Sequence, residues 1–390
     1  MESIIVGAGL CGSVIARFLA DQGIKVNIVE RRNHIAGNMY DFRDENGILV
    51  QKYGPHTFHT NHKELYDFIC RYGEWQEYHL RCMAFFDGKF TPTPFNFQTI
   101  DDFFSVNDAR ELKARIHNYY GDVQTETIVE LLKCPDDVIR NYAQFLFDKD
   151  YSLYTAKQWG IAPSEIDVSV LNRVPVRFSY EEGYFNDTYQ TMPKDSFTAF
   201  FSRLLDHPSI SLQLEKDANR LIQLTDGQIN IDGNHFEGLV VYTGALDELL
   251  NYKYGLLPYR SLRFEYETKQ QKSYQPAPVI AYPQANGYTR ITEYTKIPYQ
   301  DNFNVTKIAV EYPLQYNPDK GAEPYYPIIN EGNLRQYNLY RHDLSTIKNL
   351  FLCGRLADFK YYNMDQALER ALKMCDEIVQ WLLSGKRELY

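Results

Sequence analysis

SIIVGAGLCG, residues 3–12, decides the fold. Ser3 to Val6 is a short apolar run, predicted as a strand. Gly7, Gly9 and Gly12 then follow at GxGxxG spacing, and from Leu10 onward Val14, Ile15, Phe18 and Leu19 fall on one side of a helix. Gly23 stands where a helix ends on a left-handed residue. Lys25 to Val29 reads as a second strand, with Glu30 at its C-terminal end, 21 residues after Gly9. Strand, glycine turn, helix, strand and acid in this order form the βαβ fingerprint of a dinucleotide site. Gly7 allows the tight turn, Gly9 lets backbone approach a pyrophosphate, and Gly12 permits close helix packing. The helix N-terminus faces the phosphates, and Glu30 is placed to accept from ribose hydroxyls.

The far end of the chain selects the cofactor. Asn349 to Cys353 reads as a buried strand, Gly354 and Arg355 follow, and a long helix starts near Met364. Its apolar positions, Leu368, Ala371, Leu372, Cys375, Ile378, Val379 and Leu382, keep helical spacing. Leu239 to Tyr242, followed by Gly244, supplies another strand-to-glycine crossing midway. A cofactor domain assembled from three separated segments, closed by a returning C-terminal segment, points to FAD rather than NAD. Helical patterns dominate 94–172, and alternating strand patterns occupy 258–315. The predicted fold class is α/β: a discontinuous Rossmann-like FAD domain of the glutathione-reductase type, a helical domain and an antiparallel sheet domain. The expected boundaries are 1–82, 210–246 and 335–390 for the FAD domain; 94–183 for the helical domain with its mobile substrate loop; and 83–93, 184–209 and 247–334 for the sheet. A cleft lies between the three.

Composition excludes several functions. The formal net charge of −10 argues against general nucleic-acid binding, and no run approaches 18 apolar residues, so no membrane span is expected. The N-terminus has no basic region or cleavage pattern, and the six scattered cysteines carry no metal spacing; both fit a cytoplasmic protein with reduced thiols. Tyrosine occurs 32 times, which suits a cleft for sugars or nucleotides. In RVPVR, residues 173–177, Pro175 disfavours a helix. An extended run would place Arg173 and Arg177 on one side, as a solvated surface or as half of an anion clamp.

VGAGLCG, ERRNHIAGN, YGPHTFHTN, YTAKQWG, RVPVRF, GYFND, YTRITE, EYP, EPYYP and CGRLADFKYYNMDQAL occur in this order. Together they make the chain resemble the flavin-dependent bacterial UDP-galactopyranose mutases. The resemblance implies interconversion of the pyranose and furanose forms of a nucleotide sugar, with FAD active in its reduced form. Attack on the anomeric carbon would come from flavin N5, through an iminium intermediate. UDP-galactose leads, with UDP-N-acetylgalactosamine or a dTDP-6-deoxyhexose such as dTDP-fucose as alternatives; an amine-oxidase-like oxidoreductase and a non-catalytic binding protein are the rivals.

By resemblance, Arg173 and Arg290 hold the substrate diphosphate, with hydroxyls from Tyr184, Tyr312 and Tyr361. Tyr154 stacks on uracil, and Trp159 belongs to a loop that closes over the site. Phe185 and Asn186 complete the substrate set, and Arg177 is structural. His59 lies beside the flavin. Gly7, Gly9, Leu10, Gly12, Glu30, Arg31, Gly37, Asn38, His56, Arg355, Asn363 and Met364 bind the cofactor, and a homodimer is expected. Three departures stand out: Asn363 where the family has aspartate, Ala36 in place of a glycine, and Ser196-Phe197-Thr198 for a GYT pattern.

Overall fold

Glu2–Val6 is a strand, and it lies in the middle of a five-stranded parallel sheet. The order is Ile210–Gln213, Lys25–Val29, Glu2–Val6, Leu239–Tyr242 and Leu350–Leu352. The computed structural model describes residues 2–160, 171, 174–225 and 227–387. Ser3 pairs with Leu239, and Glu2 with Lys25, so three separated stretches of chain meet in one sheet. Leu350–Leu352 is the edge strand and is only half-buried; the buried residue of that stretch is Cys353. The alternating apolar residues of these strands face two cores, as a parallel sheet with both faces covered requires. Ile5, Val26 and Ile28 pack under the helices Leu10–Asp21, Phe197–Leu205 and Met364–Arg387. Val240 and Tyr242 face Tyr337, Tyr340 and Leu344 of the helix Glu331–Leu344.

Of the segment 184–209, expected with the antiparallel sheet, Tyr184 and Phe185 pack against that sheet's Val279 and Ala309, but the rest packs elsewhere. Tyr189–Pro193 pairs with Phe58–Thr60 and Trp75–Glu77, and the next helix presents Phe197, Phe200, Phe201 and Leu204 to the first core. That i, i+3, i+4, i+7 stripe is a core-facing helix, and it packs against the helix Leu10–Asp21.

A seven-stranded sheet carries Tyr326–Pro327, Tyr259–Lys269, Thr306–Gln315, Arg290–Glu293, Val279–Ala281, Cys82–Phe86 and Lys89–Thr93, in that order. It is antiparallel except where Val279–Ala281 runs parallel to Cys82–Phe86. Those two strands come from segments almost 200 residues apart, so no hairpin dictates their direction.

Side-chain caps delimit the helices between them. Asn96, Ser105, Thr127 and Asp136 accept backbone N–H groups at the starts of Phe97–Phe103, Val106–Tyr120, Ile128–Leu131 and Asp137–Leu146. Leu112, Ile116, Ile139 and Tyr142 form their shared core with Phe86. Of RVPVR, Val176–Arg177 is extended and pairs with Thr125–Glu126; Arg173 lies outside the described residues. Among the described residues no helix is long and apolar enough to cross a membrane.

Candidate active site

The glycine turn builds a cradle from backbone. A Cβ on Gly12 would stand 2.0 Å from the Gly7 carbonyl oxygen, and one on Gly7 would stand 2.2 Å from Thr243 Oγ1. No side chain caps the helix that Leu10 opens; Gly9 is its N-cap, so its first N–H groups are left for a ligand. Gly37 packs against Gly9, and a Cβ there would come within 3.0 Å of the Gly9 Cα. The buried Glu30 carboxylate accepts from the Ala8 and Arg32 N–H groups, both at 2.8 Å, which braces the turn. Asn38 accepts from Arg32 at 3.0 Å, while Arg31 pairs with Glu248 and Glu323. Gly7, Gly9, Glu30, Arg31, Gly37 and Asn38 line one cavity with Lys216, Asn219, Thr243 and Leu356. Uncapped helix, glycine contact and buried acid fit a dinucleotide.

A second group of side chains converges on Arg290. Its Nε and Nη2 both donate to Glu311 Oε2 at 2.7 Å, from directly paired positions on adjacent strands. Burial works hardest against the charge, but Glu311, Tyr154 and Tyr326 together outweigh it and keep the guanidinium protonated. Tyr154, on the helix Ser152–Trp159, lies within the field of Arg290; burial drives its phenol well above the ordinary value. Tyr326 is pushed up to about 12 by burial and then by Tyr361, with Arg290 and Arg355 pulling the other way. Both phenols are therefore O–H donors at neutral pH. Arg355 lies against the Tyr326 and Tyr361 rings, 5.5 and 5.3 Å from their centroids, and donates to the Tyr362 carbonyl at 2.8 Å. His56 is neutral: burial lowers it to about 4, and its Nδ1 bonds the Gly54 carbonyl at 2.9 Å.

Tyr312 does not join this group. It follows Glu311 on a strand, so its side chain emerges on the opposite face. There it packs with Ile291, Ile308 and Val310 and lies under Arg263, 4.2 Å from the guanidinium carbon. Tyr326 lies within the field of Arg290 instead. The EPYYP motif carried it, but only the fold shows which tyrosine of that run faces Arg290.

The GYFND loop, 183–187, is held as a unit. Arg177 is buried and donates to Asn186 Oδ1 at 2.6 Å and to the Tyr184 carbonyl at 3.4 Å, so it is structural. Asn186 is thereby tied to Arg177. Phe185 stacks on His59 with centroids 3.6 Å apart, and meets Tyr184 edge-on at 4.9 Å. Asn363 precedes the helix Met364–Arg387; its carbonyl accepts from Ala367 at 2.9 Å, and its N–H donates to Gln366. Trp159 ends the helix that carries Tyr154. Lys157, which sequence reasoning missed, donates to the Tyr282, Ala285 and Tyr288 carbonyls at 2.6 to 2.9 Å. It fastens the Tyr154 helix to the loop leading into Arg290. No sequence signal marks it, because its partners are backbone.

A three-segment dinucleotide domain joined to a helical unit and a mixed sheet, with an arginine–tyrosine cleft, defines a flavoprotein that handles an anionic ligand. The comparisons agree. The sequence pattern of the UDP-galactopyranose mutase family matches residues 149–361, and that of an NAD(P)-binding Rossmann-like domain matches 5–72. A UDP-galactopyranose mutase of Mycoplasma genitalium is 36% identical, over 97% of this chain and 95% of that protein. A dTDP-fucopyranose mutase of Escherichia coli is 34% identical, over 95% and 96%. A crystal structure of reduced UDP-galactopyranose mutase superposes with a TM-score of 0.72 at 16% identity, covering 97% of this chain and 95% of that one. The chain belongs to the UDP-galactopyranose mutase family, and its cofactor is FAD.

Proposed function

We propose that the protein interconverts the pyranose and furanose forms of a nucleotide sugar, UDP-galactose in the first instance. The observation that carries this reading is the convergence of Arg290 with Tyr154, Tyr326, Tyr361 and Arg355, in a fold whose glycine cradle holds a dinucleotide. Reduced FAD, held by Gly7, Gly9, Gly12, Glu30, Gly37 and Asn38, supplies the nucleophilic chemistry. The protein's own groups do the rest. Arg290 offers guanidinium N–H groups to the diphosphate, which leaves the anomeric carbon more easily when its charge is neutralised. Tyr154 and Tyr326, protonated at neutral pH, donate O–H bonds without bringing further charge. Arg355, braced by two carbonyls and two rings, adds positive charge that no carboxylate among its described hydrogen bonds cancels. The helix bearing Tyr154, fastened through Lys157, closes one side of the cleft and keeps water from the cleaved sugar.

Arg173 and Trp159 remain in this proposal through the family resemblance alone, as the second diphosphate arginine and the loop aromatic. The remaining domain boundaries, a cytoplasmic location and a homodimer belong to it as well. All six cysteines are free thiols, which suits a reducing compartment.

Relatives named for UDP-galactose and for dTDP-fucose are 36% and 34% identical, so the sugar is decided by assay. Chemically reduced protein is offered UDP-galactofuranose, its N-acetyl analogue and dTDP-fucofuranose separately. Conversion of one to its pyranose, lost when the flavin is oxidised, is the expected result. Three unchanged sugars from a yellow, FAD-loaded protein would overturn the reading.

A further inference from the structure

His59 is 9% exposed, and its Nδ1 lies 2.9 Å from Asp187 Oδ2. An ionised carboxylate only accepts, so Nδ1 carries the proton. Nε2 has no hydrogen-bond partner among the described residues. The other carboxylate oxygen, Asp187 Oδ1, accepts from Asn61 Nδ2 at 3.0 Å. Asn61 cannot turn over, because its own oxygen already accepts from the Thr188 N–H at 2.9 Å and from the Thr188 hydroxyl at 3.1 Å. The chain of donors is therefore directional. It runs from Thr188 to Asn61 to Asp187, meets His59 from the other side, and leaves Nε2 without a hydrogen-bond partner among the described residues. The loop is pinned independently, since Gln190 Nε2 donates to the Phe185 and Asp187 carbonyls at 3.3 and 3.0 Å. Phe185 meanwhile stacks on the imidazole and restrains its rotation.

We propose that Asp187 is a positioning residue that, anchored by Asn61, holds His59 as the Nδ1–H tautomer and keeps Nε2 an acceptor. Its consequence for turnover rests on the mutase reading above; the tautomer itself does not. The arrangement makes an unusual forecast for Asp187→Asn. The Asn61 amide can only donate towards position 187, so the new side chain must turn its oxygen to Asn61 and its NH2 to His59. The proton then moves from Nδ1 to Nε2, and an acceptor becomes a donor. In the double variant Asn61→Asp/Asp187→Asn the new carboxylate accepts from Thr188 and from the new amide, whose oxygen again faces His59. The first tautomer returns, with composition and net charge unchanged.

The test uses FAD-loaded protein with 15N-labelled histidine, read by long-range 1H–15N correlation, together with turnover of reduced protein. Expected are a protonated Nδ1 in the native protein, a protonated Nε2 in Asp187→Asn, and the native pattern in the double variant. Turnover should fall about 100-fold in the single variant and largely return in the double one, with flavin retained in both. An unchanged tautomer in Asp187→Asn overturns the proposal, as does an inverted tautomer with undiminished turnover. If the single variant does not fold, the double variant decides: a native tautomer supports the relay, and a protonated Nε2 overturns it. Native protein that converts no sugar would sink the mutase reading, while the nitrogen shifts would still decide the dyad.

Discussion

The cradle around Gly7, Gly9 and Gly12 and the cleft around Arg290 are built by opposite means. The cradle is backbone: N–H groups at a helix end, with no room for a Cβ on Gly7 or Gly12. The cleft is side chain: an arginine from one strand and tyrosines from a helix and from two later segments, with Arg355 against two of the rings. A backbone site fails as a whole when one glycine changes. A side-chain site loses its contributions one at a time, and each loss leaves a partner behind.

The largest effect is expected from Gly12→Ala. The added methyl would lie 2.0 Å from the Gly7 carbonyl oxygen, so the helix must move off the sheet. Overpacking of this kind costs about 3 kcal/mol, and the cradle it deforms should no longer retain FAD. Purified protein without the flavin absorbance is the expected result. A yellow, normally stable variant would show that the cradle is less rigid than its contacts require.

Next comes Arg290→Ala, which should lower turnover about 100- to 1,000-fold while FAD stays bound. It also strands Glu311, whose side chain is 3% exposed, so stability should drop by about 3 kcal/mol. Adding Glu311→Gln separates the two effects. Thermal stability should recover and turnover should not. Recovery of both would make Arg290 a structural partner of Glu311 and nothing more.

The smallest effect compares two tyrosines. Tyr326→Phe should cost about 10-fold in kcat/KM, the value of one hydrogen bond to charge. Tyr312→Phe, on the other face of the sheet, should stay near the native rate. The reverse order would return Tyr312 to the site and remove Tyr326 from it.

The cradle was legible because its requirements are local. Ala36 shows how far such reading goes. It replaces a family glycine and keeps the left-handed conformation that glycine favours, at φ 72°. Its N–H donates to the Ala8 carbonyl at 2.9 Å, and its methyl is buried in the first core, which together hold the strained residue in place. The sequence flagged the departure, and only packing explains its tolerance. The stretch 189–205, expected with the antiparallel sheet, also needed packing to place it. The apolar stripe of Phe197–Leu205 marks a core-facing helix but not which core it faces.

By itself the sequence determined the dinucleotide βαβ unit, the returning C-terminal strand and helix, the choice of FAD and the family. Strand and helix periods, glycine spacing and ordered motifs are all properties of the chain read along its length. The tertiary structure decided which tyrosine faces Arg290, that Arg177 pins the GYFND loop, and that Asp187 and Asn61 govern His59. Those relations join residues up to 128 positions apart and depend on which face of a strand each side chain leaves. Facing is set by sheet register, and register is fixed only when distant strands pair.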